Sequence, residues 1–594
     1  MIHSMETIWK RILPALLSLL LLAGCAAPAG TETEKGGSQA AADSASAVPA
    51  AEETASGAAD SESPQDSVGN TADEVPADKS RLLPVVGLTT AGNYSETSVI
   101  FNSDERTLPG LDTASRSAYP ALAEALDQFR EQEAASSAEG FAERASIIQL
   151  ILEDEAADPE TYGSFYGREY AYIRRADSQV FSALLYLNSY SGGVHGASGY
   201  TALNLDAATG EDISLDSLLS DTGREKLNER VAAELDRCYP AEAPGFRVLE
   251  REPEEYTFTL DPDGVSFWFS PYEIAAYASG DFTVKLYFGR DGDLFTGQYD
   301  ASDRFWCAEV KEELPFCYSP DGGVTARTAE VWAERGDDEY LEELCVEVDT
   351  PMENTRWEGR YDSAETGRTI LRDDLYAYSV RLFDCHTPVG EYLLAVPSMD
   401  NDVQEVMVYS LDDAAALEPL SMTGPSVFWY PELPEDVEDV DDWSEFNMYR
   451  TVLTDPLELP LTVRMELFGT WEVEGPFCFG PDGVGLNGEL LYPSREVTLT
   501  LLEDLAVQPV SRDNLFYTFE EEVTVPAGTE VHLFATDGAD TAFFQVDEAV
   551  EGLPPAYADG SWAFGLSYDQ PDSWPRLVNG IEEDDLFDGL LYAG

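Results

Sequence analysis

A histidine on a glycine-rich loop is the side chain of this sequence best placed to do chemistry. His195 stands in Tyr190-Ser-Gly-Gly-Val-His-Gly196, where the glycines let the backbone adopt positive φ. An imidazole presented in this way could be a metal ligand or a hydrogen-bond donor to a bound molecule. The alternative is a loop histidine that bonds to the backbone and fixes the turn. The sequence favours this alternative, because no second His or Cys lies at metal-ligand spacing.

Other catalytic patterns are missing from the sequence. The only histidines after the N-terminal segment besides His195 are His386 and His532. There is no His-Glu-x-x-His, no Cys-x-x-Cys, no Gly-x-Ser-x-Gly and no phosphate-binding loop. Cys385-His386 resembles a thiol and base pair, but adjacent residues of a strand point to opposite faces. We therefore expect no metal, no cofactor and no enzymatic activity, although a hydrolase within residues 301–594 stays an alternative.

Acidic residues dominate the composition. The chain has 114 Asp and Glu against 34 Lys and Arg, a net charge of −80. Nucleic acid is an improbable ligand, because phosphate binding needs Lys and Arg that displace counterions. The charge suits a cationic partner or divalent cations, or it serves solubility alone. Pairs of acids are too frequent for a glycosidase pair to be singled out, and Asp-Gly segments such as Asp261-Pro-Asp-Gly264 are interpreted as β-turns, not calcium loops.

Cysteine content bears on the compartment. Six cysteines follow Cys25, an even number that permits up to three disulfides in an exported protein. Their pairing is not determined by the sequence, and a bridge between Cys307 and Cys317 is the simplest guess. The six are Cys238, Cys307, Cys317, Cys345, Cys385 and Cys478.

The N-terminus predicts export. Lys10 and Arg11 precede the apolar run 12–22, which is too short to span a bilayer comfortably and ends in Leu22-Ala-Gly-Cys25. This pattern resembles a bacterial lipobox, which implies cleavage before Cys25 and lipidation of its sulfur. We expect residues 1–25 to be a lipoprotein signal peptide and residues 26–80, rich in Ala, Ser, Glu and Gly, to be a disordered linker. The predicted location is the outer face of the bacterial cytoplasmic membrane, with the lipid anchor as the only membrane contact.

The elements that must position His195 follow from hydrophobic periodicity. Strands are predicted over 85–90, 98–102, 170–174 and 180–187, around the glycine loop, and over 200–205, with Ile213 and Leu215 resuming a strand after a turn at 206–210. A helix capped by Ser117, a second helix over 141–155 and a third over 220–238 are predicted to cover them. The fold class is therefore α+β, with helices packed on a mostly antiparallel sheet over about residues 82–290.

Two separated motif blocks resemble a known domain. They are similar to the non-catalytic extracytoplasmic domain shared by RsiV-type anti-sigma factors and PdaC-type peptidoglycan deacetylases, over roughly a third of the chain. The transmembrane helix and sigma-binding segment of the former, and the catalytic metal motif of the latter, are not found. The first block consists of Tyr190, Gly192, Gly193, His195, Gly196, Asn204, Thr209 and Gly210, and the second of Pro271-Tyr-Glu-Ile274 and Tyr277-Ala-Ser-Gly280.

This resemblance implies a binding function and the residues that carry it. In the RsiV branch the related domain binds lysozyme, a strongly basic protein, and an acidic chain would be attracted to such a ligand. The alternative is a peptidoglycan or polysaccharide module that stacks aromatic rings on sugars. The implied binding residues are Tyr190, Gly192, Gly193, His195, Gly196, Asn204, Pro271, Tyr272, Tyr277 and Gly280.

The remainder of the chain is predicted to be β-rich and to end in a small barrel. Residues 391–397 should pair with 405–411, and 523–531 should form a strand, a Pro-Ala-Gly-Thr turn and a strand. That turn weakly resembles bacterial SH3-type modules. The predicted domains after the linker are 82–187, an N-terminal α+β part; 188–290, the RsiV/PdaC-like domain; 300–510, β-rich; and 511–594, the barrel.

Overall fold

The structure, a computed structural model, describes most of the chain beyond residue 81. Cys25, the predicted signal peptide and the linker lie outside the described residues. No helix within the described ranges is both long enough and apolar enough to span a membrane. The described ranges are 82–93, 100–153, 163–299, 305–336, 340–348, 369–372, 377, 379–398, 403–412, 415–416, 420–423, 448–480, 483–486, 490–511, 514–518, 522–538, 541–546, 562–570 and 575–592.

A six-stranded sheet supports the glycine loop. Its order is β19-β1-β2-β3-β4-β5, and every neighbouring pair is antiparallel except β2 and β3, which are parallel. The strands are β1 Pro84–Asn93, β2 Asn102–Leu111, β3 Phe165–Ala176, β4 Val180–Tyr190, β5 Ala197–Asp206 and β19 Met448–Thr451. The strands predicted at 85–90, 170–174, 180–187 and 200–205 are confirmed.

One long helix makes the parallel crossover from β2 to β3. Helix α1 is Thr113–Ala118 and helix α2 is Pro120–Glu153. The prediction of two helices, the first capped by Ser117, is wrong: Asp112 caps α1 by accepting from the Ser115 N–H at 2.8 Å, and α2 is continuous. The Ala- and Glu-rich residues 131–140 between the two predicted apolar stretches are good helix formers, and they join those stretches.

Buried charges hold α2 on the sheet. Arg144 of the helix is 6% exposed and lies 2.8 Å from Asp104 of β2. Arg106 of the same strand contacts Asp104 and Glu169 of β3, each at 2.9 Å. The strand predicted over 98–102 is displaced in the structure, where β2 begins only at Asn102 and residues 94–99 lie outside the described ranges. The first residues of β2 are polar, which is typical of a loop, but their side chains form hydrogen bonds with helix α2.

A smaller sheet covered by a helix follows. Helix α3 is Leu215–Leu218 and α4 is Asp221–Cys238, and an antiparallel sheet is formed by β6 Thr257–Leu260, β7 Gly264–Phe269 and β8 Phe282–Tyr287. The predicted third helix is confirmed, with Ser220 as its cap. Ile213 and Leu215 do not resume a strand. Ser214 accepts from the Ser217 N–H at 3.3 Å and starts α3 instead.

Strands predominate in the remainder of the described chain, as predicted. Residues of β15 pair with β16 as expected, Tyr392 with Ser410 through Ala395 with Met407. The strands are β9 Trp306–Val310, β10 Phe316–Tyr318, β11 Arg327–Arg335, β12 Leu341–Val348, β13 Thr369–Arg372, β14 Ser379–Thr387, β15 Gly390–Ser398, β16 Val403–Ser410, β17 Ala415–Ala416, β18 Leu420–Thr423, β20 Leu459–Glu466, β21 Thr470–Gly480, β22 Gly483–Leu486 and β23 Tyr492–Pro493. Among the helices, α5 is Phe288–Asp291, and short 3-10 turns are Pro244–Arg247, Pro253–Glu255, Tyr277–Ser279 and Gly292–Leu294.

The C-terminal strands form a seven-stranded sheet of order β27-β26-β31-β30-β29-β24-β34 beside a pair, β25 and β28. Closure into a barrel is not seen among the described strands. The strand, turn and strand predicted over 523–531 are confirmed as β28 and β29 with the turn between them. The two strands do not pair with each other, because β28 pairs with β25 while β29 pairs with β24 and β30. The elements are β24 Thr498–Leu501, β25 Leu505–Val507, β26 Pro509–Ser511, β27 Asn514–Thr518, β28 Val523–Val525, β29 Glu530–Thr536, β30 Thr541–Gln545, β31 Trp562–Ser567, β32 Leu577–Val578, β33 Ile581–Glu582, α6 Glu583–Leu586 and β34 Phe587–Asp588.

Pairing between distant strands bears on the predicted domain boundaries. Residues Ser80–Gly594 form one compact unit. The boundary predicted near Asn188 falls inside β4, which pairs along its length with β3 and β5. The boundary at 510 falls inside β26, which pairs with β31. Strand β19 pairs with β1, so residues 448–451 complete the sheet that carries the glycine loop.

Candidate functional site

The glycine loop is the tip of the β4–β5 hairpin. Ser189 and Ala197 form the last cross-strand pair, so the loop consists of residues 190–196. Gly192 has φ 88° and Gly193 has φ 112°, which is backbone that residues with a Cβ rarely adopt. A Cβ on Gly196 would lie 2.9 Å from the Ser189 carbonyl oxygen. The glycines therefore serve the loop conformation, as the sequence indicated.

The second motif block follows β7 and is pinned beside this loop. The Oγ of Ser270 accepts from the Tyr200 N–H of β5 at 3.1 Å. Glu273 accepts from the Ser270 N–H at 2.8 Å and from Arg251 at 2.6 Å. Between them, Tyr272 has φ 71° and is 62% exposed. A bulky residue in left-handed backbone is uncommon, and such strain concentrates at functional sites.

The two blocks meet in an aromatic cluster, which consists of His195, Tyr272 and Tyr277. The His195 and Tyr277 rings stack with centroids 4.2 Å apart and planes inclined by 21°. Tyr272 lies 5.2 Å from Tyr277 and 6.5 Å from His195, centroid to centroid. Val194, on the loop beside His195, is 98% exposed. The chain thus presents ring faces and an apolar side chain at the end of a hairpin.

Hydrogen bonds set the orientation of the cluster. The Nδ1 of His195 lies 2.7 Å from the Gly196 carbonyl oxygen. A carbonyl only accepts, so Nδ1 carries the proton and Nε2 is the acceptor of the neutral ring. The Tyr277 hydroxyl donates to the same oxygen at 3.4 Å. His195 is therefore the backbone-bonded loop histidine that the sequence favoured, and its half-buried ring forms part of the aromatic cluster.

Some implied binding residues lie outside the aromatic cluster. The Tyr190 hydroxyl donates to the Gly193 carbonyl at 3.0 Å, and its ring packs edge-on against Phe165. Gly280, with φ 73°, ends the 3-10 turn that carries Tyr277, and Pro271 precedes Tyr272. These residues shape the two loops.

Asn204, one of the implied binding residues, is buried in the structure. Its side chain is only 7% exposed. Its Nδ2 donates to the Phe258 carbonyl at 2.8 Å, and its Oδ1 accepts from the Leu260 N–H at 3.1 Å and from Ser182 at 2.7 Å. Asn204 therefore joins β5 to β6 and is not available to a ligand.

A buried ionic cluster between the small sheet and β9–β14 was missed by sequence reasoning. Arg174 lies 2.6 Å from Asp261, and Lys285 contacts both Asp261, at 3.3 Å, and Asp263. Burial opposes the charge of Asp261, but Arg174 and Lys285 outweigh it and hold the pKa of that carboxyl below its ordinary value. The Asp261-Pro-Asp-Gly264 segment is the predicted turn, yet its first carboxylate is fully buried and paired.

Asp384 is a buried carboxyl of this cluster that forms no hydrogen bond in the described part of the structure. Neither of its carboxyl oxygens has a hydrogen-bond partner in the described part of the structure, and the side chain is fully buried. Burial and the nearby Glu391 raise the pKa of Asp384 well above its usual value. Glu391 in turn bonds to His386, and this hydrogen bond raises the pKa of the His386 ring. Full burial makes the cluster part of the core and not an open site.

The predicted Cys307–Cys317 bridge is not supported by the geometry. Cys307 and Cys317 are both free thiols, and Cys307 lies opposite Cys385 across β9 and β14. Strand pairing thus gives Cys307 a cysteine neighbour that is distant in sequence. Within the described ranges, no group of three or more His, Cys, Asp or Glu side chains is arranged to hold a metal ion.

Comparison with known proteins places part of the chain in a family. Residues 216–288 match a family model described as "Protein of unknown function (DUF3298)", so the chain carries a DUF3298 domain that includes Tyr272 and Tyr277. A member of the DUF3298 family from Bacteroides fragilis is similar in structure at 17% identity and TM-score 0.29, over 36% of this chain and 94% of that one. A DUF3298 family protein from Pseudomonas aeruginosa has 16% identity and TM-score 0.25 over the same shares. No curated protein matches the chain.

Proposed function

We propose that this protein, which carries a DUF3298 domain, is a lipid-anchored, non-enzymatic binding protein of the bacterial cell envelope. Its ligand contacts the aromatic cluster of His195, Tyr272 and Tyr277 and the adjoining Val194. Its proposed anchor is a lipid on Cys25. The observation that carries the proposal is the meeting of two distant motif blocks in one cluster of rings, of which Tyr272 is exposed and has strained backbone.

The cluster has the composition of an interface hot spot. Tyrosine is enriched among residues that dominate binding energy, since it buries a large rigid surface and keeps a polar tip. The strained φ of Tyr272 holds its ring outward at 62% exposure. Because Glu273 and Arg251 fix the segment before binding, little ordering entropy is lost when a ligand docks.

A cationic protein is the ligand class favoured by charge. The net charge of −80 creates a negative field around the whole chain, which raises the encounter rate with a basic partner. A lysozyme-like protein fits this description, and the resemblance to the RsiV branch points to the same class. In this arrangement the field brings the ligand close and the aromatic cluster contributes the short-range contact.

A cell-wall glycan is the second candidate, and the stacked rings favour it. Residues 190–196 contain no Asp, Glu, Lys or Arg, so the loop offers a neutral apolar surface. The exposed ring of Tyr272 beside Tyr277 could pack on the face of a sugar. Binding of this kind would be insensitive to salt and would suit an accessory role in wall remodelling.

The test is a binding experiment with the full chain purified in detergent. It is mixed with lysozyme and, separately, with insoluble peptidoglycan, at low and high salt. Lysozyme binding that weakens with salt and is lost in Tyr277→Ala supports the cationic-protein ligand. Peptidoglycan binding that survives high salt and is lost in the same variant supports the glycan.

The matched control is Tyr492→Ala. Tyr492 is also an exposed tyrosine, 46% accessible, but it packs on Phe534 in the C-terminal region. The control should bind as the wild type does. Binding to neither ligand, or equal losses in both variants, contradicts a role for the aromatic cluster.

A further inference from the structure

One face of the sheet beside the glycine loop carries aromatic and polar side chains in register. Tyr166 and Arg168 of β3 lie opposite Tyr190 and Asn188 of β4, and Asn188 lies opposite Ser198 of β5. Directly paired residues, and every second residue along a strand, present their side chains on the same face. Tyr166, Arg168, Asn188 and Ser198 therefore share one face at the loop end of the hairpin.

Helix α2 covers the other face of this sheet. Its Arg144 lies 2.8 Å from Asp104, and Asp104 pairs with Gly167. Gly167 lies between Tyr166 and Arg168, so its face is opposite to theirs. The side chain of Arg168 is exposed and that of Tyr166 is half-buried. The face that carries Arg168 is therefore accessible from solution.

Gly196 joins this face to the aromatic cluster. Its carbonyl oxygen lies 2.7 Å from Nδ1 of His195 and 3.4 Å from the Tyr277 hydroxyl. A Cβ placed on Gly196 would lie 3.5 Å from the Tyr166 hydroxyl and 3.7 Å from Oδ1 of Asn188. Both sets of side chains thus border the same glycine and form one continuous surface.

Arg168 brings a positive charge to this surface. Its guanidinium carbon lies 4.7 Å from the centroid of the Tyr166 ring, a cation–π contact that orients the side chain. A guanidinium held over a ring still has N–H donors in its own plane, and their fork geometry matches the two oxygens of a carboxylate. The arrangement is suited to an anionic group of a ligand.

Arg168 differs from the other arginines of β2 and β3 in having no acidic partner. Arg106, Arg174 and Arg175 each form an ion pair with a carboxylate. Within the described residues Arg168 forms none, although Glu105 lies opposite it on β2. In a chain with 114 acidic residues, the carboxylate that this guanidinium lacks can come from a bound molecule.

The overall negative charge does not prevent such a contact. At physiological ionic strength the field of distant charges is screened over about 8 Å, so the groups near the ligand decide the interaction. A second cation, Lys311, lies 4.5 Å from the ring centroid of Tyr186. Tyr186 is two residues from Asn188 on β4 and shares its face. This face therefore carries two cations near the glycine loop.

We propose that the ligand site continues from the aromatic cluster across Gly196 to Tyr166, Asn188 and Arg168, and that its ligand is a saccharide carrying a carboxylate. The aromatic cluster packs on the sugar rings, Asn188 forms hydrogen bonds with their hydroxyl or amide groups, and Arg168 binds the carboxylate. This inference rests on the glycan candidate of the proposed function and specifies its chemical class.

Two sugars that differ in a carboxylate test the inference. N-Acetylmuramic acid and N-acetylglucosamine share a ring and an acetamido group, but only the first carries a lactyl carboxylate. Each is titrated into the full chain in detergent and followed by saturation-transfer NMR. We expect the wild type to bind the acidic sugar about 5- to 10-fold more tightly at low salt, because a hydrogen bond to a charged group is stronger than a neutral one. The preference should shrink at high salt.

Arg168→Gln isolates the contribution of the guanidinium. The variant should bind the two sugars equally, with the affinity for N-acetylglucosamine unchanged. Arg247→Gln is the matched control, because Arg247 is also exposed and lies over an aromatic ring, 4.8 Å from the centroid of Phe246. The control should keep the wild-type preference. Both positions are exposed, and thermal melts should show that both variants fold.

The outcomes distinguish this inference from the proposed function. Equal affinity of the wild type for the two sugars, or a preference that persists in Arg168→Gln, would overturn the inference. Binding of neither sugar would also overturn it. Lysozyme capture by the same preparation, lost in Tyr277→Ala, would in that case still support a binding function of the aromatic cluster.

Discussion

His195 on the glycine loop stacks on Tyr277 of a later loop, with ring centroids 4.2 Å apart. Both rings also bond to one acceptor, the Gly196 carbonyl oxygen, at 2.7 Å from Nδ1 and 3.4 Å from the hydroxyl. A single peptide group of the glycine loop therefore orients the ring of each motif block. Any change that moves this carbonyl should disturb the aromatic cluster as a whole.

Truncation of the cluster should abolish ligand capture without unfolding the protein. We expect Tyr277→Ala, and Tyr272→Ala separately, to weaken binding about 10-fold or more, because each removes a ring of a hot spot. Isothermal titration with the ligand identified by the pull-down measures this change. Tyr492→Ala should leave the affinity unchanged, and thermal melts of all three variants should resemble the wild type.

Salt should separate the two ligand classes. If the ligand is a basic protein, the association rate should fall steeply between low and physiological ionic strength, because screening shortens the reach of the negative field. The dissociation rate should change little, since the aromatic contacts are short-ranged. Surface plasmon resonance at a series of salt concentrations measures both rates. An association rate that is independent of salt would contradict the electrostatic part of the proposal.

Gly196→Ala should destabilise the loop. The new Cβ would lie 2.9 Å from the Ser189 carbonyl oxygen, a contact that requires the backbone to shift. We expect a loss of about 1–3 kcal/mol in the free energy of unfolding, measured by urea denaturation, and weaker ligand binding. Gly292→Ala is the matched control, because a Cβ there meets nothing within 4 Å. Equal stability of the two variants would show that the loop relaxes around the methyl group.

Asn204→Ala should affect stability and spare binding. The substitution removes the acceptor of the buried Ser182 hydroxyl and the donor to the Phe258 carbonyl, and it leaves the Leu260 N–H with Ser182 Oγ as its remaining acceptor. We expect a loss of about 2–4 kcal/mol in unfolding free energy. The affinity of the folded variant at low temperature should equal that of the wild type. A variant with normal stability and reduced affinity would instead show that Asn204 belongs to the binding surface.

Asp384 should make stability fall as pH rises. Burial and Glu391 raise the pKa of its carboxyl, so the folded chain keeps a proton that the unfolded chain releases above about pH 4. Unfolding then releases a proton, and the free energy of unfolding decreases from about pH 4 towards neutrality. Glu391 and His386, whose pKa values are also raised, act in the same direction.

Asp384→Asn removes this titration and keeps the shape of the side chain. The variant should gain stability relative to the wild type at pH 7 and lose that advantage near pH 4, in melts recorded across this range. The surrounding charges, Lys285, Asp263, Arg174 and Glu391, are the same in both proteins. Asp585→Asn, at an exposed position of α6, is the control and should follow the wild-type curve. A gain that is constant with pH would contradict the protonation of Asp384.

Local signals predicted the elements that carry the site. Alternating apolar residues identified β4 and β5, and the glycines between them identified the hairpin tip. Helix α4 was predicted with its buried face, Leu227, Val231 and Leu235. In each case one side of the element packs on the core, so the hydrophobic periodicity along the chain is enough to identify the element.

Elements held by polar contacts were the ones that sequence reasoning missed. Strand β2 begins with Asn102, Ser103 and Asp104, which have low strand propensity. It is a strand because Arg144 and Arg106 both neutralise the Asp104 carboxylate between helix and sheet. Likewise, the residues near Asp384 in sequence do not predict that its carboxyl is buried, because the neighbours of Asp384 in space come from other strands.

The acidic charge, the mixed α+β character, the hairpin that presents His195 and the motif residues Tyr272 and Tyr277 could all be predicted from the sequence, because each depends on composition or on neighbours along the chain. Three relations became visible only in the folded chain: these rings meet, Asn204 is buried, and Cys307 faces Cys385 and not Cys317. These relations depend on which strands pair and in what register. Pairing between strands that are distant in sequence depends on the packing of the whole core, and residues adjacent in sequence do not specify it.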